Sequence, residues 1–196
     1  MKRHFTDGYT VLFCLTTLLL GSHKPDLESD FIQNENDYSF RGCFIVNADP
    51  DCVLNQVFDF QNIAEYSLGA KSIELDQRGD HWYDVTFTYR KYLVFENQST
   101  WRRTLHEDEH RIDFELIADE NNVDILPTMQ FSRGYYHIKP EEDGCLVEYY
   151  QECRLEPGFL EDVYIKMVRD EALNFLHIFK EFITARCVTP GAKGCC

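Results

Sequence analysis

Apolar and polar residues alternate with a period of two through most of the middle of this chain, and after Glu156 the period changes to three or four. In the alternating part, residues 38–47 predict a strand with Phe40, Phe44 and Val46 on one face. Asp49 and Pro50 then form a helix start, a carboxylate cap followed by a proline in the first turn, so 50–58 predicts a short helix and 62–66 a second one. Alternation resumes at 71–75, passes a turn at 77–80 and continues as one long strand over 82–95, with Tyr83, Val85, Phe87 and Tyr89 on a common side. Further strands are predicted at 100–106, 110–117, 128–139 and 145–156, separated by acidic turns. The last element, 157–186, is a long amphipathic helix. Tyr164, Val168, Ala172, Phe175, Leu176, Phe179, Phe182 and Ile183 recur along it at helical spacing and must be buried together.

One long amphipathic helix after an all-strand region has one large surface to cover, the inner face of that sheet. The order therefore predicts a two-layer α+β domain. At 196 residues with 44% hydrophobic content the chain is long enough for one well-cored domain. We expect that domain over 38–187, preceded by an acidic linker at 23–37 and followed by a flexible tail at 188–196.

Residues 1–22 differ from the rest. A basic start, a run of about a dozen largely apolar residues and Gly21-Ser22 are similar to a secretory signal peptide, and the run is shorter than the roughly 18 residues of a comfortable membrane span. The expectation is a secreted or periplasmic protein without a stable membrane span, the alternatives being a membrane-tethered or a cytoplasmic one. Eight cysteines show no CxxC spacing, so no metal site is expected; no disulfide connectivity is assigned, and Cys43, Cys145 and Cys153 fall within strands as small buried hydrophobes.

The net charge is −15, with the basic residues scattered, which excludes a phosphate-backbone partner; no nucleic-acid binding is expected. Nucleophile-elbow, phosphate-loop and metalloprotease motifs are absent, so no catalytic residue and no cofactor is assigned. Arg78-Gly79-Asp80, a cell-adhesion tripeptide, reads as a hairpin turn, and Asn97-Gln98-Ser99 fits a glycosylation acceptor.

Three stretches carry a resemblance. Phe44-Ile45-Val46-Asn47-Ala48-Asp49-Pro50 runs a strand into a helix through Ala-x-Pro; Val57-Phe58-Asp59-Phe60 is followed by Ile63-Ala64-Glu65-Tyr66; and Ser132-Arg133-Gly134-Tyr135-Tyr136-His137-Ile138 precedes Cys145-Leu146-Val147-Glu148-Tyr149-Tyr150 and the terminal helix. In this order they resemble the START-like (SRPBCC) helix-grip superfamily of polyketide cyclase/dehydrase and coenzyme Q-binding-like proteins. A departure is Glu65-Tyr66-Ser67, where many cyclase-like members carry a proline and an apolar or tryptophan residue. The resemblance implies a curved antiparallel sheet wrapped around the C-terminal helix, with two short helices after the first strand and an apolar cavity for a hydrophobic small molecule such as a lipid, isoprenoid or polyketide.

Alternation and the helix stripe nominate Phe87, Tyr89, Trp101, Arg103, Phe131, His137, Tyr149, Val168, Phe175 and Phe179 as the residues around such a ligand. The expected function is non-enzymatic binding or transport, with no protein partner identified. Two alternatives stand beside it. One is a filled core serving a structural or interaction role, because an empty apolar void of roughly 300 Å³ costs about 7 kcal/mol. The other is a cyclase or dehydratase using Arg103, His137 or Tyr149 as acid or base.

Overall fold

The computed structural model describes residues 27–67, 69–92, 95–121, 128–156 and 161–188, with side chains throughout except at 90–97, 121 and 161–164. Strands β1 (Glu28–Asn34) and β2 (Asp37–Val46) lead into helix α1 (Pro50–Phe58), a 3-10 turn at Phe60–Asn62 and helix α2 (Ile63–Tyr66). Strands β3 (Ala70–Arg78), β4 (Trp82–Tyr92), β5 (Phe95–His106), β6 (Arg111–Asn121), β7 (Thr128–Glu141) and β8 (Gly144–Glu156) follow, and helix α3 (Glu161–Cys187) closes the domain. All eight strands form one curved antiparallel sheet in the order β1-β2-β8-β7-β6-β5-β4-β3, which grips α3 on its inner face.

Local chemistry explains most boundaries. The Asp49 carboxylate accepts from the Cys52 amide at 3.0 Å and caps α1, and Pro50 occupies the first turn, where a missing N–H costs nothing. Asp59 repeats the device, accepting from the Gln61 amide at 3.0 Å to begin the 3-10 turn. On β2, Tyr38, Phe40, Gly42, Phe44 and Val46 are buried while the residues between them face outward. Gly42 permits the close approach of α3, since a Cβ there would strike the Leu176 side chain. Gly144 holds a positive φ of 142° in the β7–β8 turn, where a side chain would strike the Val46 carbonyl.

Two expectations need correction. The acidic segment read as a linker contains β1, paired with β2 from Glu28↔Cys43 to Asn34↔Asp37. Only Phe31 of that strand turns inward, with its ring 6.3 Å from Tyr38 and under the Arg169 guanidinium at 5.1 Å, so backbone pairing orders a strand whose side chains show no apolar alternation. The break expected between the strands at 82–95 and 100–106 falls earlier: β4 ends at Tyr92 and β5 begins at Phe95. Leu93-Val94 between them carries no Gly, Pro or Asn to mark a reversal, and its geometry lies outside the described residues. The glycosylation acceptor triplet accordingly lies within β5, and the Ser99 side chain is buried. The Tyr164 side chain, residues 1–22 and the terminal cysteines also lie outside what is described.

Cys52 and Cys187 form a disulfide, with Cα atoms 5.9 Å apart, that joins α1 to the last turn of α3. The Arg186 guanidinium pairs with Glu65 of α2 beside it. Cys43, Cys145 and Cys153 form no disulfide. Across the outer face of the sheet, Asp84, Arg102, Glu115, Arg133 and Glu152 stand opposite one another on five successive strands, an alternating-charge ladder in which Asp84 is buried beneath Arg102. Arg102 closes both forks on Asp84 at 2.9 and 3.0 Å, and Arg133 reaches Glu152 at 2.5 Å. Among the described residues no helix is long and apolar enough to cross a membrane, and no group of three or more His, Cys, Asp or Glu is placed to hold a metal ion.

Candidate functional site: a cavity under the first half of the terminal helix

The buried stripe of α3 meets two different surroundings. Towards the C-terminus, Leu176, Phe179 and Ile183 are fully buried and Phe182 nearly so. Phe179 packs against Phe44, Tyr66 and Tyr136 with ring centroids 5.3 to 5.8 Å apart, edge-on or tilted, as aromatic quadrupoles prefer. That end is filled. Towards the N-terminus, Val168, Ala172 and Phe175 are only half-buried and face a cavity of about 260 Å³.

Strands β4 to β8 and helix α2 supply the walls opposite α3. Phe87 and Tyr89 come from β4, Trp101 and Arg103 from β5, Phe114 from β6, Tyr136 from β7, Tyr149 and Gln151 from β8, and Ile63, Tyr66 and Ser67 from α2 and its end. Phe114 and Tyr149 stack at 5.7 Å with 16° between their planes, and Phe175 leans on Tyr149 at 4.9 Å. Most polar tips are satisfied. Trp101 Nε1 donates to Ser99 Oγ at 2.8 Å, and Tyr149 Oη donates to Gln151 Oε1 at 2.5 Å, while Gln151 Nε2 donates to Ser132 Oγ at 3.0 Å.

Arg103 is the exception. It is 4% exposed, yet among the described residues no carboxylate lies within ion-pair distance of it. Its Nη1 donates to Tyr66 Oη at 2.8 Å and its Nη2 to the Val57 carbonyl at 3.1 Å, the same carbonyl that accepts from Tyr66 Oη at 3.0 Å. The faces of Tyr136 at 5.1 Å and Tyr83 at 5.8 Å offset part of the charge. Nε is left without a partner, as is the Tyr83 hydroxyl. A guanidinium cannot shed its proton to escape burial, so this corner of the cavity holds a permanent, under-compensated positive charge.

Burial pushes the phenols of Tyr83, Tyr89, Tyr136 and Tyr149 above their ordinary value. They remain neutral at physiological pH and serve as hydrogen-bond donors rather than bases. The site can therefore surround an apolar body with rings and meet an electron-rich oxygen with one cation and neutral hydroxyls.

Of the ten residues nominated from sequence, Phe87, Tyr89, Trp101, Arg103, Tyr149, Val168 and Phe175 line this cavity. Phe179 belongs to the sealed end. His137 and Phe131 lie on the opposite face of β7. That strand buries Ser132, Gly134, Tyr136 and Ile138, so His137 points outward, with Nδ1 3.9 Å from Glu148 Oε2; burial and the nearby Lys139 hold its pKa below the ordinary value. Phe131 shares that outward parity and lies beneath the Arg133 guanidinium at 5.1 Å, with 41% of its surface exposed. Tyr136, the neighbour of His137, takes the inward position instead. The sequence reading also omitted Tyr66, although its departure from the cyclase-like pattern was a signal, and it omitted Glu171, which follows the polar face of the helix into the cavity mouth.

No curated protein sequence matches the chain. Solved structures share its fold at low identity: the Zhui aromatase/cyclase from Streptomyces sp. R1128 has a TM-score of 0.59 at 12% identity over 81% of this chain and 99% of its own. A STAR-related lipid transfer protein fragment from Xanthomonas axonopodis has a TM-score of 0.58 at 15% identity over 83% and 96%. Norcoclaurine synthase from Thalictrum flavum, in complex with dopamine and hydroxybenzaldehyde, has a TM-score of 0.54 at 12% identity over 88% and 99%. The profile of one family matches residues 39–182, which span the strand into α1, the cavity walls and nearly all of α3. This chain belongs to the polyketide cyclase / dehydrase and lipid transport family.

Proposed function

We propose that the protein binds and carries a compact hydrophobic molecule that presents an electron-rich or acidic oxygen, with the rings of the cavity around its body and Arg103 at its polar end. Arg103 carries this reading. A buried guanidinium with an unpartnered Nε, lining an apolar cavity, gains the counter-charge that its own fold withholds when such a ligand enters. An apolar occupant of this cavity of about 260 Å³ also takes its ring-lined walls out of water, which favours binding. The lipid-transport branch of the family and the small aromatic compounds held by norcoclaurine synthase on the same fold support the same direction.

A cyclase or dehydratase is the second reading. Arg103 favours it, since a fixed cation with an unpartnered Nε can stabilise an enolate oxygen. Carriage is preferred because, among the described cavity residues, no nucleophile sits beside a base and the phenols are too weakly acidic to act as bases at neutral pH. Native mass spectrometry of the full chain, purified without detergent, tests the binding reading. A reproducible passenger that Arg103→Met loses while circular dichroism is unchanged supports it; an empty wild-type cavity that takes up no naphthoate or fatty acid ends it.

We also propose export to an oxidising compartment. The basic and apolar composition of 1–22 and the Cys52–Cys187 disulfide support that address over the cytoplasm. Fractionation with thiol labelling checks it: export predicts unlabelled Cys52 and Cys187 in the exported fraction, and a fully reduced cytoplasmic pool contradicts it.

A further inference from the structure

Glu171 is the second charge at this cavity. It stands on α3 between the lining residues Val168 and Ala172, and it lines the mouth rather than the depth. No hydrogen bond or ion pair reaches its carboxylate from any described residue. Burial against the apolar walls raises its pKa above the ordinary carboxylate value. Asp84 is matched by Arg102, Glu152 by Arg133 and Asp37 by Arg154, whereas Glu171 stands exposed at the rim, with the cavity rings on one side and Lys166, Asp170 and Asn174 on the other. The cavity thus has a cation at its buried end and a partnerless hydrogen-bond acceptor at its open end.

Resting on the binding reading above, we propose that Glu171 is a specificity-determining residue that accepts a hydrogen bond from a hydroxyl or amino group at the outer end of the ligand, so that the cavity selects compact, bipolar aromatic molecules. Volume narrows the class further. About 260 Å³ lies at the lower edge of the roughly 300–1,000 Å³ typical of sites for drug-sized ligands, which suits one or two rings rather than a sterol or a diacyl lipid. Selection works by difference: a ligand with the donor gains a charge-assisted hydrogen bond at the rim, and one without it displaces water from the carboxylate and gives nothing back, a difference of about ten- to hundredfold in affinity.

Calorimetric titration of the full chain with 2-naphthoic acid and 6-hydroxy-2-naphthoic acid tests this. The wild type is expected to bind the hydroxylated probe about ten- to hundredfold more tightly. Glu171→Leu is expected to bring the two probes to within about threefold of each other by weakening only the hydroxylated one, and Glu171→Gln, which keeps an acceptor oxygen, to retain part of the preference. Equal affinities in the wild type, or a preference that survives Glu171→Leu, overturn the role of Glu171 while leaving the binding reading intact. No heat with either probe in the wild type removes the compact bipolar aromatic as the ligand class, and the native-mass experiment then decides separately whether the cavity holds anything else.

Discussion

In its last turns, α3 lays Leu176, Phe179 and Ile183 against the sheet with none of their surface exposed, whereas one turn earlier Val168, Ala172 and Phe175 stay half-buried over open space. The same amphipathic stripe runs through both halves. What differs is the surface opposite. The filled end meets Phe44, α1 and α2 and is fastened by the Cys52–Cys187 disulfide and the Arg186–Glu65 pair. The hollow end meets Arg103 and a set of tyrosines whose hydroxyls need partners, and the small Ala172 leaves the space unfilled. A helix of this kind is both plug and roof: stability concentrates where it interdigitates, and binding becomes available where it does not.

Substitutions break that contrast in order of size. Phe179→Ala, at the filled end, is expected to cost about 3–5 kcal/mol in urea unfolding, while Phe175→Ala, at the hollow end, costs clearly less because its ring already borders a void. Comparable losses at both positions would show that the cavity is closed in solution. Cys52→Ser with Cys187→Ser is expected to lower stability by about 2–4 kcal/mol, read as a lower denaturation midpoint, with naphthoate affinity unchanged, because the bond fastens the end away from the cavity.

Ala172→Leu sharpens the contrast from the other side. Filling the hollow is expected to raise stability by about 0.5–2 kcal/mol and to abolish probe binding, so a variant that still binds would place the ligand elsewhere. The smallest effect belongs to the outer face. Burial pulls the Glu148 pKa up, but hydrogen bonds from Lys139 at 2.7 Å and Arg41 at 2.9 Å outweigh it and hold the carboxyl below its ordinary value. Its contribution is therefore complete above the unfolded-state value near 4.5 and is lost as pH falls through the lower folded-state value. Glu148→Gln is expected to flatten the acid side of the stability–pH curve by about 1 kcal/mol without touching ligand affinity, since this group lies outside the cavity.

Much of this was legible in the sequence, and the failures have physical causes. The Asp49-Pro50 start of α1 is a local hydrogen bond and a fixed dihedral, so it appears in the residues themselves. Parity along β7 is not local in the same sense: Ser132, Gly134 and Tyr136 face inward while Phe131 and His137 face outward, and a run of Tyr135, Tyr136 and His137 carries no apolar contrast to fix which set is which. Strand β1 was invisible because its order comes from the backbone of β2, and the β4–β5 reversal was expected on the polar stretch 96–99 rather than at Leu93-Val94 because two apolar residues occupy it.

By itself, the sequence determined that the domain is a sheet followed by a gripping helix, because periodicity and caps act over a few residues and are written in them. Only the tertiary structure decided where the helix fits and where it leaves a hollow, which of two adjacent β7 rings enters it, that Arg103 is buried without a carboxylate, and that Cys52 meets Cys187. Those outcomes depend on volumes and charges brought together across more than a hundred residues, and no segment of the chain contains them alone.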